Sequence, residues 1–279
     1  MSRAFLALPL AALLVSTPSA NVLNNFTTVE HSQAASSDQD WCKDAGNSGG
    51  RNRESVCEVR VLIDGNASNL EILDNANGSI AVTGSSRRGI VVQARVVATA
   101  SSESDARALA QDVSVSLEGG RVRSSGPRSA RNQSWHVSYR VQVPLAFDLT
   151  LETSNRSVAV TGVKGRIDTE SSNGSLRLTD VGGRVDASTS NGSVHVALNG
   201  NQWDGDGLTV TTSNGAARVD VPEGYNAHLI AGTSNGSLNL DIPVTVQGRV
   251  SKRIDTKLGA GGPTIEIRTS NGSLRVGRR

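Results

Sequence analysis

An all-β fold of parallel β-solenoid type, with one short helix in its N-terminal part, is predicted by three observations. A Ser-Asn-Gly turn recurs along the C-terminal half, and apolar residues flank each turn at alternating positions. Aromatic residues make up only 3% of the 279-residue chain, while glycine is abundant at 29 residues. That composition suits a core of stacked Val, Leu and Ile on short strands better than a conventional globular core.

The chain begins with the pattern of a secretory signal, expected to span residues 1–20. Arg3 precedes an apolar stretch from Phe5 to Val15, and Ala20 is the candidate cleavage position. The apolar run is too short to span a bilayer, so no transmembrane segment is expected after cleavage. Residues 21–55 are polar and rich in Ser, Asn, Asp and Gly, which predicts a flexible leader. The two cysteines, Cys42 and Cys57, are candidates for a disulfide in an oxidising compartment, contributing roughly 3 kcal/mol in the chain-entropy view.

An N-terminal β-rich part is expected over residues 56–145. Val59, Val61 and Ile63 alternate with polar residues, as in a half-buried strand, and Ile90–Ala98 reads as another strand. Ser102–Gln111 is the one convincing helix. Ser102 stands at its N-cap, and Ala106, Ala108, Leu109 and Ala110 are good helix formers. Strands resume at Val113–Leu117 and Trp135–Val143, ended by Pro144.

Residues 146–277 carry the repeat. Its corners are Asn155, Asn173-Gly174, Asn191-Gly192, Asn214-Gly215, Asn235-Gly236 and Asn271-Gly272, with an outlying copy at Asn77-Gly78-Ser79. The first spacings are close to 18 residues, and the last is twice that, which predicts a degenerate coil around Val250–Ala260. Three residues after each Asn come Val158, Leu176, Val194, Ala217, Leu238 and Leu274. Five after come Val160, Leu178, Val196, Val219, Leu240 and Val276. Between them lies a mostly polar column: Ala159, Arg177, His195, Arg218, Asn239 and Arg275. The period of two gives each repeat two short strands around a corner, with Gly expected there for its access to positive φ. Antiparallel hairpins satisfy the same parity. Identical residues at equivalent positions favour the solenoid, in which Asn stacks on Asn.

Two further segments sharpen this. Gly165-Arg166-Ile167-Asp168 leads to Ser172-Asn173-Gly174-Ser175-Leu176, and Gly183-Arg184-Val185-Asp186 leads to Ser190-Asn191-Gly192-Ser193-Val194. With the entry Val141-Gln142-Val143-Pro144, this resembles the bacterial DUF4097 family over roughly Val56–Val276. The resemblance implies a β-solenoid domain on an envelope or exported protein, an adhesin label, and no catalytic residues.

The residues themselves offer no catalytic, cofactor or metal site. His195 lies in the outward polar column, and no Gly-x-Ser-x-Gly elbow is present. Asp204-Gly205-Asp206-Gly207 reads as a turn more readily than as a calcium loop. Formal charge is only +2 and the basic residues are scattered along the chain, so no nucleic-acid partner is expected. The expected function is therefore non-enzymatic: an adhesin-like, exported protein, periplasmic or extracellular, presenting a repetitive β surface to an envelope protein or a surface polysaccharide. Scarce aromatics weigh against sugar binding by ring stacking. The alternative is a polysaccharide lyase or glycosidase on a β-helix, using the outward carboxylates Glu152, Asp168, Glu170, Asp186 and Glu266.

Overall fold

A computed structural model of the protein describes residues 41–43, 53–75, 77–242 and 252–279. The expected signal and most of the expected leader lie outside them. In chain order the strands and helix are β1 (Glu54–Asp64), β2 (Asn69–Asn75), β3 (Ile80–Ser85), β4 (Ile90–Ala100), α1 (Glu103–Asp112), β5 (Ser114–Glu118), β6 (Arg121–Ser125) and β7 (Ser134–Pro144). There follow β8 (Asp148–Thr153), β9 (Val158–Thr161), β10 (Lys164–Ser171), β11 (Leu176–Thr179), β12 (Gly182–Thr189), β13 (Val194–Ala197), β14 (Gly207–Thr212) and β15 (Ala217–Val221). The last are β16 (Ala227–Thr233), β17 (Leu238–Leu240), β18 (Arg253–Leu258), β19 (Thr264–Thr269) and β20 (Leu274–Arg278).

These strands form two ten-stranded sheets. Each repeat contributes its first strand to one sheet and its second to the other, with the Asn corner between them. The coils stack in parallel and in register: Ile167 pairs with Leu149 and with Val185, and Leu176 with Val158 and with Val194. Hairpin pairing is excluded for these coils, since consecutive strands of one repeat belong to different sheets. The inward columns meet between the sheets. One buried apolar cluster runs from Leu62 and Ile72 through Val158 and Leu176 to Leu274 and Val276.

Antiparallel pieces close the ends. At one end, β1 and β4 pair antiparallel, β4 continues onto β7, and β7 lies parallel to β3. Helix α1 packs there through Ala106, Leu109 and Ala110, with Ser102 Oγ accepting the Asp105 amide as N-cap. Strand β1 departs from its expected orientation. Leu62 is buried, whereas Ile63 is 55% exposed and Val59 and Val61 share its outer face. The inner face instead carries Arg60. Its guanidinium donates to the carbonyls of Ala110 and Val113, satisfying the end of a helix that has no basic residue in its own last turn. Without Arg60, the Ala110 carbonyl would keep only the Val113 amide as its donor.

The other end overturns the expected linear order. Strands β19 and β20 insert between β14/β15 and β16/β17, so the C-terminal repeat is the penultimate coil in space. The predicted degenerate coil near Val250–Ala260 is no coil. Its described part is β18, which pairs antiparallel with β16 and borders that sheet. The long final spacing therefore reflects a chain reversal: an alternating strand such as Arg253–Leu258 serves an antiparallel edge as well as a coil.

Candidate functional site

The corners are the first place to seek a site, because they hold the most repeated residues. There the side-chain amides form a continuous ladder. Asn155 donates to Asn77, Asn173 to Asn155, Asn191 to Asn173 and Asn214 to Asn191. Asn271 then donates to Asn214, and Asn235 to Asn271, at 2.9 Å each. A second ladder runs beneath it. From Asn155 onward the residue two before each corner Asn is Ser or Thr, and its buried hydroxyl donates to the carbonyl of the neighbouring coil's corner. Examples are Thr189 to Gly174 (2.9 Å), Thr212 to Gly192 (2.9 Å) and Thr269 to Gly215 (2.8 Å). This hydroxyl column was legible in the sequence, as every member is Ser or Thr.

The reason for glycine at the corner differs from the expected one. None of Gly174, Gly192, Gly215, Gly236 and Gly272 is in the left-handed region. Each instead lies against the backbone below. A Cβ on Gly192 would stand 2.0 Å from the Gly174 carbonyl oxygen, and one on Gly174 would stand 1.7 Å from that of Arg156. Positive φ occurs in the opposite turn, at Gly162 and Asp180. The corner's polar atoms are thus spent on neighbouring coils, and the motif builds the stack.

Two outer faces remain, one on each sheet. The face formed by β8, β10, β12, β14 and β19 carries the predicted carboxylates. Glu152, Asp168, Glu170 and Asp186 line a shallow depression of about 240 Å³, while Glu266 lies apart on β19. Arginines accompany them along the strands: Arg166 bonds Asp168 at 3.0 Å, Arg184 bonds Asp186 at 3.3 Å, and Arg268 pairs with Glu266. Asp204, of the candidate calcium loop, accepts from Lys164 at 2.7 Å.

On the opposite face, the polar column of the repeat becomes a row. Arg177, His195, Arg218 and Arg275 sit on β11, β13, β15 and β20, each in register with the next. The outward column of the repeat is thus a physical row, although basic residues look scattered along the chain as a whole. Arg177 Nη1 contacts His195 Nδ1 at 2.7 Å, and His195 Nε2 contacts Asp220 Oδ2 at 2.7 Å. Because arginine only donates, Nδ1 accepts and Nε2–H donates to Asp220. Arg218 Nε donates to the other carboxylate oxygen at 2.7 Å. Burial would raise the Asp220 carboxyl, but the hydrogen bonds from Arg218 and His195 outweigh it and hold the group below the usual carboxylate range. His228 is on the acidic sheet, bonded to Asp255 at 2.7 Å, and His136 lies half-buried on β7. Among the described residues, no three His, Cys, Asp or Glu side chains are grouped to hold a metal ion.

The same basic face is closed at its N-terminal end by residues 41–43. Cys42 and Cys57 form a disulfide, with Cys57 on the outer side of β1. The Trp41 ring lies against Arg140, 4.0 Å from ring centroid to guanidinium carbon, and against Arg95 at 5.1 Å. Arg95 also donates to the Trp41 carbonyl. The disulfide was a candidate in the sequence; the packing of Trp41 on Arg95 and Arg140 was not foreseen, because it joins segments with no shared pattern. Among the described residues no helix is long and apolar enough to cross a membrane.

Solved structures align with most of the chain at low identity and with TM-scores below 0.5. A protein described as a "putative cell adhesion protein" from Clostridium sporogenes aligns over 81% of this chain and 100% of its own, at 11% identity and a TM-score of 0.45. A "putative adhesin" from Bacteroides fragilis covers 81% of this chain and 97% of its own, at 10% identity and 0.29. A "putative lipid binding protein" from Parabacteroides distasonis covers 82% and 98%, at 12% identity and 0.26. No curated protein matches in sequence. The family model described as Toastrack DUF4097 matches residues 58–277, from β1 to β20, and the chain belongs to that family.

Proposed function

We propose that the protein is a non-enzymatic, exported, adhesin-like module that presents its flat outer sheet faces to an envelope protein or a surface glycan. The observation that carries this reading is the division of labour within each repeat. Asn, Gly and the buried hydroxyl of every corner are engaged by adjacent coils, whereas the outward strand positions vary from coil to coil and remain exposed. A surface of that kind suits recognition: the frame is fixed and the facing residues are free to differ. Export is supported by the disulfide between Cys42 and Cys57, a bond that persists in oxidising compartments.

The carboxylate face favours this reading over carbohydrate cleavage. Asp168 and Asp186 each hold an arginine of their own strand, in equivalent positions on successive coils, so the pairs repeat along an open face. Glycan arrays and pull-downs from envelope extracts test the proposal. Retention of a surface component by the full chain is the expected result. Binding to none would overturn it, and release of unsaturated sugars from acidic glycans would replace it with lyase activity.

A further inference from the structure

The basic face extends beyond the row of arginines. Continuing across the sheet from Arg177, the same register passes over Ala159 and Ala81 and reaches Arg140 on β7. Neighbouring strands stand about 4.8 Å apart, so the row is a track lying across the strands, parallel to the stacking axis. The two alanines leave its floor low between basic side chains. At the Arg140 end, Arg87, Gln93, Gln142 and Arg140 line a depression of about 450 Å³. Five arginines, Arg87, Arg140, Arg177, Arg218 and Arg275, face two carboxylates, Asp220 and Asp241. Asp220 is 8% exposed, below the rim; it holds Arg218 directly and Arg177 through His195. Two of the guanidinium groups are therefore held in place before any ligand arrives, which lowers the ordering cost of binding.

The track selects a ligand chemistry. Guanidinium groups match carboxylates in a planar, two-point geometry. Hydroxyls flank the arginines on both sides: Ser175 and Ser193 at the corners, Thr161 and Thr179 at the far ends of the strands. Such donors and acceptors suit sugar hydroxyls. The row from Ala81 to Asn239 holds no Phe, Tyr or Trp; its one ring, His195, has both nitrogens engaged by Arg177 and Asp220, and Trp41 lies at the far end against Arg140, so no run of stacking platforms for successive bases is offered. We infer that the outer face built on β7, β3, β9, β11, β13, β15 and β20 binds a linear acidic polysaccharide bearing repeated carboxylates, laid along the row of Arg140, Arg177, Arg218 and Arg275. The inference rests on the surface-recognition reading above and names its ligand class and face.

Polygalacturonate is the probe, with the full chain immobilised and salt varied. The double variant Arg177→Gln/Arg275→Gln is expected to bind about tenfold more weakly and with a shallower salt dependence. Arg166→Gln/Arg184→Gln, on the acidic face, is expected to bind as the parent does. Arg177→Lys/Arg275→Lys keeps charge but loses the fork, and should recover binding in part. Matching thermal transitions for all variants would show that they fold. Equal weakening in both glutamine variants, or in neither, would overturn the assigned face. Single-stranded DNA of matched charge binding as tightly would overturn the glycan class. Absence of polygalacturonate binding, with a neutral glycan or envelope protein still retained, would sink this inference and leave the surface-recognition reading intact; loss of all binding would sink both.

Discussion

The coils from Asp148 to Val221 and those from Ala227 to Arg278 obey the same sequence rules yet assemble differently. In the first group each coil lies on the one preceding it in the chain, from β8/β9 to β14/β15. In the second the chain skips a place, returns along the antiparallel β18, and threads its last coil into the gap. The inner columns, the Asn ladder and the hydroxyl ladder continue across the junction without a break, through Asn214, Asn271 and Asn235. Identical corners make any coil a suitable neighbour for any other. The repeat dictates how coils stack and is silent on the order in which they do so.

Truncation gives the largest test of that contrast. A chain ending at Leu258 lacks β19 and β20, which separate β16/β17 from the rest. Hydrogen exchange should show opening free energies near zero in β16, β17 and β18, not merely loss of the deleted coil. Protection retained in β16 would mean that its coil can dock directly on β14/β15 and does not need the last coil beneath it.

Next in size is Gly174→Ala. With the Arg156 carbonyl in the way, denaturant unfolding should show a loss of about 3 kcal/mol. Gly162→Ala provides the comparison. It has φ of 68° and open space for a Cβ, so only about 1 kcal/mol should be lost. Equal costs would remove the distinction between the two turns.

A smaller effect separates the middle of the stack from its end. Asn191→Ala breaks a bond to each of two neighbours and should cost about 1 kcal/mol, whereas Asn235→Ala, at the terminal rung, breaks one and should cost about half as much. Urea midpoints measured on both would show whether the ladder stabilises rung by rung.

The smallest expected effect concerns pH. Asp220 has its folded pKa held below the unfolded value of 3.8, so its stabilising contribution is present above that value and is lost as pH falls through the lower folded one. Asp220→Asn should flatten the fall in stability below about pH 4. An unchanged acid limb would show that Arg218 and His195 do not depend on this carboxylate.

Much of the fold is legible in the sequence because its determinants are local. Alternation at Val158 and Val160, or at Leu176 and Leu178, fixes which side chains point inward, and Ser102 marks the start of α1. Strand β1 was misleading for a non-local reason. Arg60 turns inward to meet the end of α1, 50 residues later in the chain. The basic track was legible in part: the column of Arg177, His195, Arg218 and Arg275 is in the sequence, whereas the place of Arg275 between Arg218 and Asn239, and the arrival of Arg140 at the other end, depend on how the coils stack.

By itself, then, the sequence determined the two-strand coil, its corner and its inner columns, because a period of two and a repeated turn act over a few residues. Tertiary structure alone decided the place of the last coil, the close approach that demands glycine at the corner, and the extension of the arginine row to Arg140. Each of these depends on which strands become neighbours, and parallel pairing joins residues that chain order keeps apart.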